Sequence, residues 1–272
     1  MIDFFKMSGS GNDFIIIDNR DGSLGVRDVV AFVRKVCQRK VSVGADGLFL
    51  IEKSDRVDFK WRFFNADGSQ AAMCGNGGRC VARFAFLNGI AGERMSFETG
   101  AGIIDAEVKG DVVKIRLTDP HSLVLDERLR IGNLELIVHR LDTGVPHVVH
   151  FLHDLEGFDV VDTGRAIRYH EAYRPAGTNA NFVAVLDANT LQVRTYERGV
   201  EDETLACGTG SVAAALIAAR KGLVSAPVEV VVRSGERLRI YFEATEKGFE
   251  KVYLEGKAKV VYQGKLWDEA WK

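Results

Sequence analysis

Apolar positions along this chain fall into two kinds of run. Residues 81–87 and 212–219 are built of strong helix formers, and each run is followed by a glycine, Gly89 or Gly222, suited to a helix stop. The second run is apolar on most faces, through Val212, Ala213, Ala214, Leu216 and Ile217, and predicts a helix enclosed on most sides. Residues 112–117, 145–152, 228–232 and 238–242 are β-branched or alternate apolar with polar, as strands do. Each half of the chain therefore predicts strands wrapped around one long central helix.

The two halves echo each other. Cys74-Gly75-Asn76-Gly77 and Cys207-Gly208-Thr209-Gly210 share a Cys-Gly-x-Gly pattern, each leading into an alanine-containing run. The cysteines and the later glycines share one offset of 133 residues (74 to 207 and 89 to 222). Downstream, residues 96–100 resemble residues 231–235; upstream, Phe14-Ile15-Ile16-Ile17-Asp18 resembles residues 182–187. The expected fold class is α/β (α+β), with two pseudo-symmetric domains, each a β-barrel-like sheet around a central helix. The expected division is residues 1–117 plus 261–272, carrying Cys74, and residues 118–260, carrying Cys207. The change-over falls near residues 117–120.

Composition narrows the class of protein. A chain of 272 residues with 46% hydrophobic and 27% charged positions can bury a sizeable core, as ordinary globular proteins do. A net charge of −2 gives no support for a nucleic-acid or anionic-membrane partner. The first residues lack the apolar core of a secretory signal, and the run 212–219 is too short to span a bilayer. A cytoplasmic enzyme or binding protein with a small-molecule partner is expected. The four cysteines include no C-x-x-C pair, so a disulfide framework is not expected. Cys37 and Cys80 read as buried structural thiols.

Cys74 and Cys207 read differently. A cysteine at a helix start lies beside unpaired backbone N–H groups and the positive end of the helix dipole, which favours the thiolate. The adjoining glycines leave those N–H groups open to an anion. Two such sites, facing each other across a cleft, suit inversion at an α-carbon. One thiolate removes the α-proton, a thiol on the other face returns one, and the helix N-termini stabilise charge on the substrate carboxylate. No cofactor and no metal are required.

These residues resemble the signatures of the diaminopimelate epimerase family: Met73-Cys74-Gly75-Asn76-Gly77, Tyr196-Glu197-Arg198-Gly199, and Glu203-Thr204 leading to Ala206-Cys207-Gly208-Thr209-Gly210. Lys6-Met7, Gly11-Asn12-Asp13-Phe14, Phe64-Asn65-Ala66-Asp67-Gly68 and Gly177-Thr178-Asn179 follow the same family's order over nearly the whole chain. The resemblance implies interconversion of LL- and meso-diaminopimelate without pyridoxal phosphate, on the route to lysine and peptidoglycan, by a homodimer. It makes Cys74 and Cys207 the acid/base pair, with Cys74 acting on the LL form. The backbone N–H groups of Gly75, Asn76, Gly208 and Thr209 would hold the reacting carboxylate. Asn12, Asn65, Asn179 and Arg198 would hold the distal carboxylate, and Glu197 the distal ammonium. His147 and Glu197 would tune the thiols. Two positions depart from the pattern: Gly47 stands where the family often has Gln, and Val145 where it commonly has Asn.

Other readings compete. The run from Gly208 to Ala213 fits the dinucleotide fingerprint G-x-G-x-x-A, but residues 201–206 look too polar for the strand that fingerprint needs. His147, His150 and His153 suggest a metal, but on a strand residues three apart point to opposite faces. Asn12, Asn65 and Asn179 could serve as turn residues alone. A racemase of proline, hydroxyproline or histidine is the rival enzyme, and an amino-acid-binding or redox-sensing protein is the rival without catalysis.

Overall fold

The computed structural model describes residues 1–272, and the chain divides into two compact units. One comprises Met1–Arg116 with Gly256–Lys272, the other Leu117–Glu255.

In the first unit, β1 (Ile2–Gly9) and β2 (Asn12–Asp18) form a hairpin, and α1 (Val29–Val36) leads to β3 (Gly47–Glu52), which runs parallel to β2. β4 (Phe59–Asn65) returns antiparallel to β3 and carries the two-residue β5 (Gln70–Ala71) on its end. The chain then enters α2 (Gly75–Leu87). Beyond it, β6 (Arg94–Thr99) lies parallel to β4, followed by antiparallel β7 (Gly102–Lys109) and β8 (Val112–Arg116).

The second unit repeats this order. β9 (His121–Ile131), β10 (Leu134–Asp142) and β11 (Pro146–Leu152) are successive antiparallel strands, and α3 (Val160–Arg168) leads to β12 (Asn179–Val185), parallel to β11. β13 (Thr190–Glu197) returns antiparallel and carries the short β14 (Asp202–Thr204) before α4 (Gly208–Arg220). β15 (Val228–Val231) pairs parallel with β13, then β16 (Arg237–Thr245) and β17 (Gly248–Lys257) complete the sequence. β18 (Lys259–Leu266) pairs with β1 in the first unit, as β9 pairs with β10 in the second.

The structural repeat corrects one of the sequence echoes. The run 14–18 belongs to β2, whose counterpart by strand order is β11. The run 182–187 begins in β12, whose counterpart is β3. The two runs look alike because strands of parallel pairs are buried on both faces and read as unbroken apolar stretches. At the 133-residue offset, β3 maps onto 180–185, which is β12 within a residue. The pattern also left two elements unforeseen: α1 and α3, one in each parallel crossover.

Both central helices sit inside their sheets. α2 packs on β1, β2, β7 and β8; α4 packs on β10, β11, β12, β13, β15 and β16. Ten of the thirteen residues of α4 are buried, so water touches almost none of it. Both helices end in the same way. Gly89 (φ 64°) and Gly222 (φ 72°) take the left-handed conformation. The N–H of Ile90 then reaches the Ala85 carbonyl, and the N–H of Leu223 reaches that of Ala218. This is the Schellman closure, and only glycine adopts its dihedral without strain.

Candidate active site

Cys74 and Cys207 are not merely near helix starts; each is the N-cap. Their backbones are extended (φ −147°, ψ 116° and φ −119°, ψ 111°), and their carbonyls accept the first helical bonds, from Gly78 and Ser211. Each Sγ accepts the N–H of the third helical residue, Gly77 or Gly210, at 3.4 Å in both halves. A thiolate accepts such a bond better than a thiol, so the cap itself favours ionisation. The N–H groups of Gly75 and Asn76, and of Gly208 and Thr209, occupy the first two helical positions, where no intrahelical acceptor exists. Such unpaired N–H groups are where a helix can receive an anion. Cys207 is 6% exposed and Cys74 is half-buried, so both thiols are more sheltered than surface-reactive cysteines.

The second glycine of each motif has a different task from the one its sequence suggests. A Cβ on Gly77 would lie 2.3 Å from the Phe49 ring, and one on Gly210 2.2 Å from Asn181 Oδ1. These glycines let the helix seat against its sheet, rather than opening the backbone to a ligand.

In the first unit a chain of amides runs from the cap. Asn76 Nδ2 donates to Asn12 Oδ1 (2.8 Å), and Asn12 Nδ2 donates to Asp46 Oδ2 (3.0 Å). The fully buried Arg79 donates to Asn76 Oδ1 and to Ser10 Oγ. Asp46 also accepts from Arg39, which bridges to Asp13; Asp13 in turn meets the buried Lys6 at 2.7 Å. Burial alone would raise the Asp13 carboxyl, but the bonds and charges of Arg39 and Lys6 outweigh it and hold the group below its usual range. Asn12 and Asn76 are thereby fixed side by side. Asn65 is at the end of β4, where Nδ2 donates to Ser69 Oγ across the turn 65–69. Gly47 lies in β3 with no room for a side chain, because a Cβ there would meet the Phe64 carbonyl and the Phe63 ring.

In the second unit, Asn179 opens β12, donates to the Pro146 carbonyl (3.1 Å) and accepts the Arg198 backbone N–H (2.8 Å). The Arg198 guanidinium donates to the Ala176 carbonyl. Glu197 closes β13, opposite Asp202. Thr209 Oγ1 lies 3.6 Å from Cys207 Sγ, and its carbonyl accepts from Thr143.

His147 is enclosed in the second unit, with Asn181 as its side-chain partner. The Val148 carbonyl and the Thr195 hydroxyl orient the Asn181 amide, so its Nδ2 donates to His147 Nδ1 (3.1 Å). The ring therefore carries its proton on Nε2, which is buried and has no acceptor in the protein. Burial, reinforced by the nearby charge of Arg198, pushes His147 down to about 3, so the ring is neutral at physiological pH. It acts on its surroundings as a dipole and not as a cation. Asn181, which connects this ring to the cap of Cys207 through Gly210, was missed from sequence. Its spacing of two from Asn179 on one strand face was the available signal.

The competing readings meet specific obstacles. Asp202–Thr204 is a strand after all, but it pairs antiparallel with β13 instead of feeding a parallel crossover, so the dinucleotide geometry is absent. His147 is buried on β11, His150 lies on the opposite face and donates from Nδ1 to the Ile137 carbonyl, and His153 lies beyond the strand. No group of three or more His, Cys, Asp or Glu side chains is arranged to hold a metal ion. No helix is long and apolar enough to cross a membrane. Cys37 and Cys80 are buried, and burial pushes the Cys37 thiol up to about 12.

Known proteins match nearly the whole length of this chain. The family model described as diaminopimelate epimerase matches residues 4–123 and 140–261. A diaminopimelate epimerase of Aquifex aeolicus is 49% identical, covering 98% of this chain and 99% of its own length. Another from a Hydrogenobaculum species is 48% identical, covering 96% and 97%. Among solved structures, a probable proline racemase from Agrobacterium radiobacter K84 has a TM-score of 0.75 at 13% identity, covering 98% of this chain and 93% of its own. At that identity the likeness is one of fold: two domains, mixed α/β.

Proposed function

Because the chain belongs to the diaminopimelate epimerase family, we propose that it interconverts LL- and meso-diaminopimelate with Cys74 and Cys207 as its acid/base pair. The observation that carries this reading is the duplicated cap: a sulfur that receives a helix N–H at 3.4 Å, next to two backbone N–H groups without helical acceptors, once in each half.

The Cys74 thiolate takes the α-proton of the LL isomer and becomes a thiol. The electron pair left on the α-carbon delocalises into the carboxylate, whose growing charge is met by the N–H groups of Gly75, Asn76, Gly208 and Thr209. The Cys207 thiol then gives its proton to the other face of the carbon and becomes the thiolate. The enzyme thus ends with its charge moved from one sulfur to the other, and the reverse reaction starts from that state. An α-proton is a weak acid, so shelter from water strengthens every one of these contacts. Neutral His147 tunes the second site through Asn181, which packs against Gly210 beside the Cys207 cap. Arg198 takes the distal carboxylate, aided by Asn12, Asn65 and Asn179, and Glu197 the distal ammonium. The same resemblance carries the place on the route to lysine and peptidoglycan precursors, a cytoplasmic location and a homodimeric state into this proposal.

Incubation with LL-diaminopimelate in heavy water tests the reading. Deuterium should enter at the α-carbon as meso product appears. An amino-acid-binding or redox-sensing protein exchanges nothing, and exchange with proline or histidine instead would point to a different racemase.

A further inference from the structure

We infer that Arg168 and Glu201 form a positioning pair that holds Arg198 and Asn179 in register for the distal end of the substrate. This rests on the function proposed above and extends it to residues outside the contact set.

Arg198 sits in the turn 197–201, and Asn179 at the end of the segment 174–179. The two segments already touch, through Arg198 N–H to Asn179 Oδ1 (2.8 Å) and Arg198 Nη1 to the Ala176 carbonyl (3.1 Å). These bonds join the first residue of β12 to the turn that follows β13. Arg168, the last residue of α3, adds an attachment of both segments to that helix. Its Nε donates to Glu201 Oε1 at 3.1 Å, with only 16% of the Arg168 side chain exposed. Its guanidinium also occupies the space beside Gly177: a Cβ there would lie 1.8 Å from Nη1 and 2.9 Å from Cζ. Gly177 takes φ 68°, so both its backbone and its missing side chain serve this close approach. One side chain thus underlies the segment that carries Asn179 and grips the turn that carries Arg198.

Glu201 is built to be gripped. It holds the left-handed conformation (φ 60°), its N–H returns to the Glu197 carbonyl (2.8 Å), and its carboxylate also accepts from Gly199 N–H (3.0 Å) and Tyr196 Oη (3.4 Å). The carboxylate therefore ties the turn to itself, to β13 and to α3. The Arg168 guanidinium further lies over the Tyr169 ring, 4.7 Å from its centroid, a contact that holds the side chain in place.

Neither residue touches the reacting carbon in this scheme, so their loss should act on substrate affinity. Arg168→Met keeps the apolar stem but removes the fork, and Glu201→Gln keeps the size but removes the charge. Each variant should raise KM for LL-diaminopimelate by about 10-fold or more with kcat within about 3-fold, because a misplaced binding group lowers uniform binding. An amino-acid inhibitor lacking the distal carboxylate should bind wild type and variants alike, a readout that general destabilisation would not spare. Arg168→Lys should restore only part of the loss, since an ammonium cannot reproduce the fork. If Arg168→Met does not fold, Glu201→Gln decides the same comparison. Wild-type turnover with KM unmoved in the variants, or with kcat falling while KM stays constant, would overturn the pair and leave the epimerase reading standing. No turnover by wild type would overturn both.

Discussion

At the scale of single residues, the sulfur of Cys74 or Cys207 has an observed capping role and a proposed acid/base role, which substitution can separate. As an N-cap it satisfies a helix N–H, and serine does this at least as well; as an acid/base it needs a pKa that serine lacks. Cys74→Ser and Cys207→Ser should therefore fold with unchanged or raised melting temperature and lose turnover. The corresponding alanine variants should lose turnover and also about 1 kcal/mol of stability. Activity retained in either serine variant, measured by α-proton exchange, would refute the two-thiol mechanism. The identity of these residues was legible in the chain, because a cap is decided within four positions. Asn181 was not, because its importance arises where β12 passes under Gly210 of α4.

At the scale of elements, each central helix meets its sheet through a glycine one turn from its start. Replacing a helical glycine by alanine ordinarily stabilises a protein by about 0.5–1 kcal/mol. Here the sign should reverse. The Phe49 ring facing Gly77 is stacked on Phe63 at 4.3 Å and bounded by Trp61 and Phe14, so it has nowhere to go. Gly77→Ala should cost about 1–3 kcal/mol, the usual penalty for overpacking. Gly210→Ala should displace Asn181, and with it the partner of His147, so activity should fall along with stability. Urea unfolding of the two variants checks this; a stabilised Gly77→Ala would show that the helix can move outward. The sequence echo had suggested ligand access for these glycines, and packing supplied the actual constraint. The same contrast holds for strands. Helix stops at Gly89 and Gly222 follow from one backbone dihedral, whereas the pairing of β2 with β3 and of β11 with β12 joins distant segments that similar apolar runs can mimic.

For the molecule as a whole, buried neutral histidines set the acid limit. His147 is pushed down to about 3, and burial takes His139 to about 4. An unfolded chain protonates these rings near their ordinary value of about 6.5, while the folded chain does not. The unfolded state therefore binds more protons below that pH, and stability should fall as pH drops from about 6.5 toward 4. His147 alone accounts for about 2 kcal/mol lost by pH 5. Melting curves at pH 7 and pH 5 should show the loss, and His147→Gln should make the pH dependence visibly shallower. An unchanged slope in that variant would mean that the ring is protonated in the folded state.

The thiol pair, the doubled motif and the helix ends were readable from residue order, because each depends on contacts within a few positions or on repetition at a constant offset. Family membership was readable for the same reason: its signatures are short and occur in order. Three-dimensional packing decided what lies behind those residues. Arg168 reaches Glu201 and Gly177 from a helix that the pattern did not predict, and the buried Arg79 joins Asn76 to the distant Ser10. Such supports are assembled from segments far apart in the chain, where a charged residue reads as a solvated surface group until the fold encloses it. The two capping cysteines could thus be named from sequence, while the contacts of Arg168 and Arg79 required the fold.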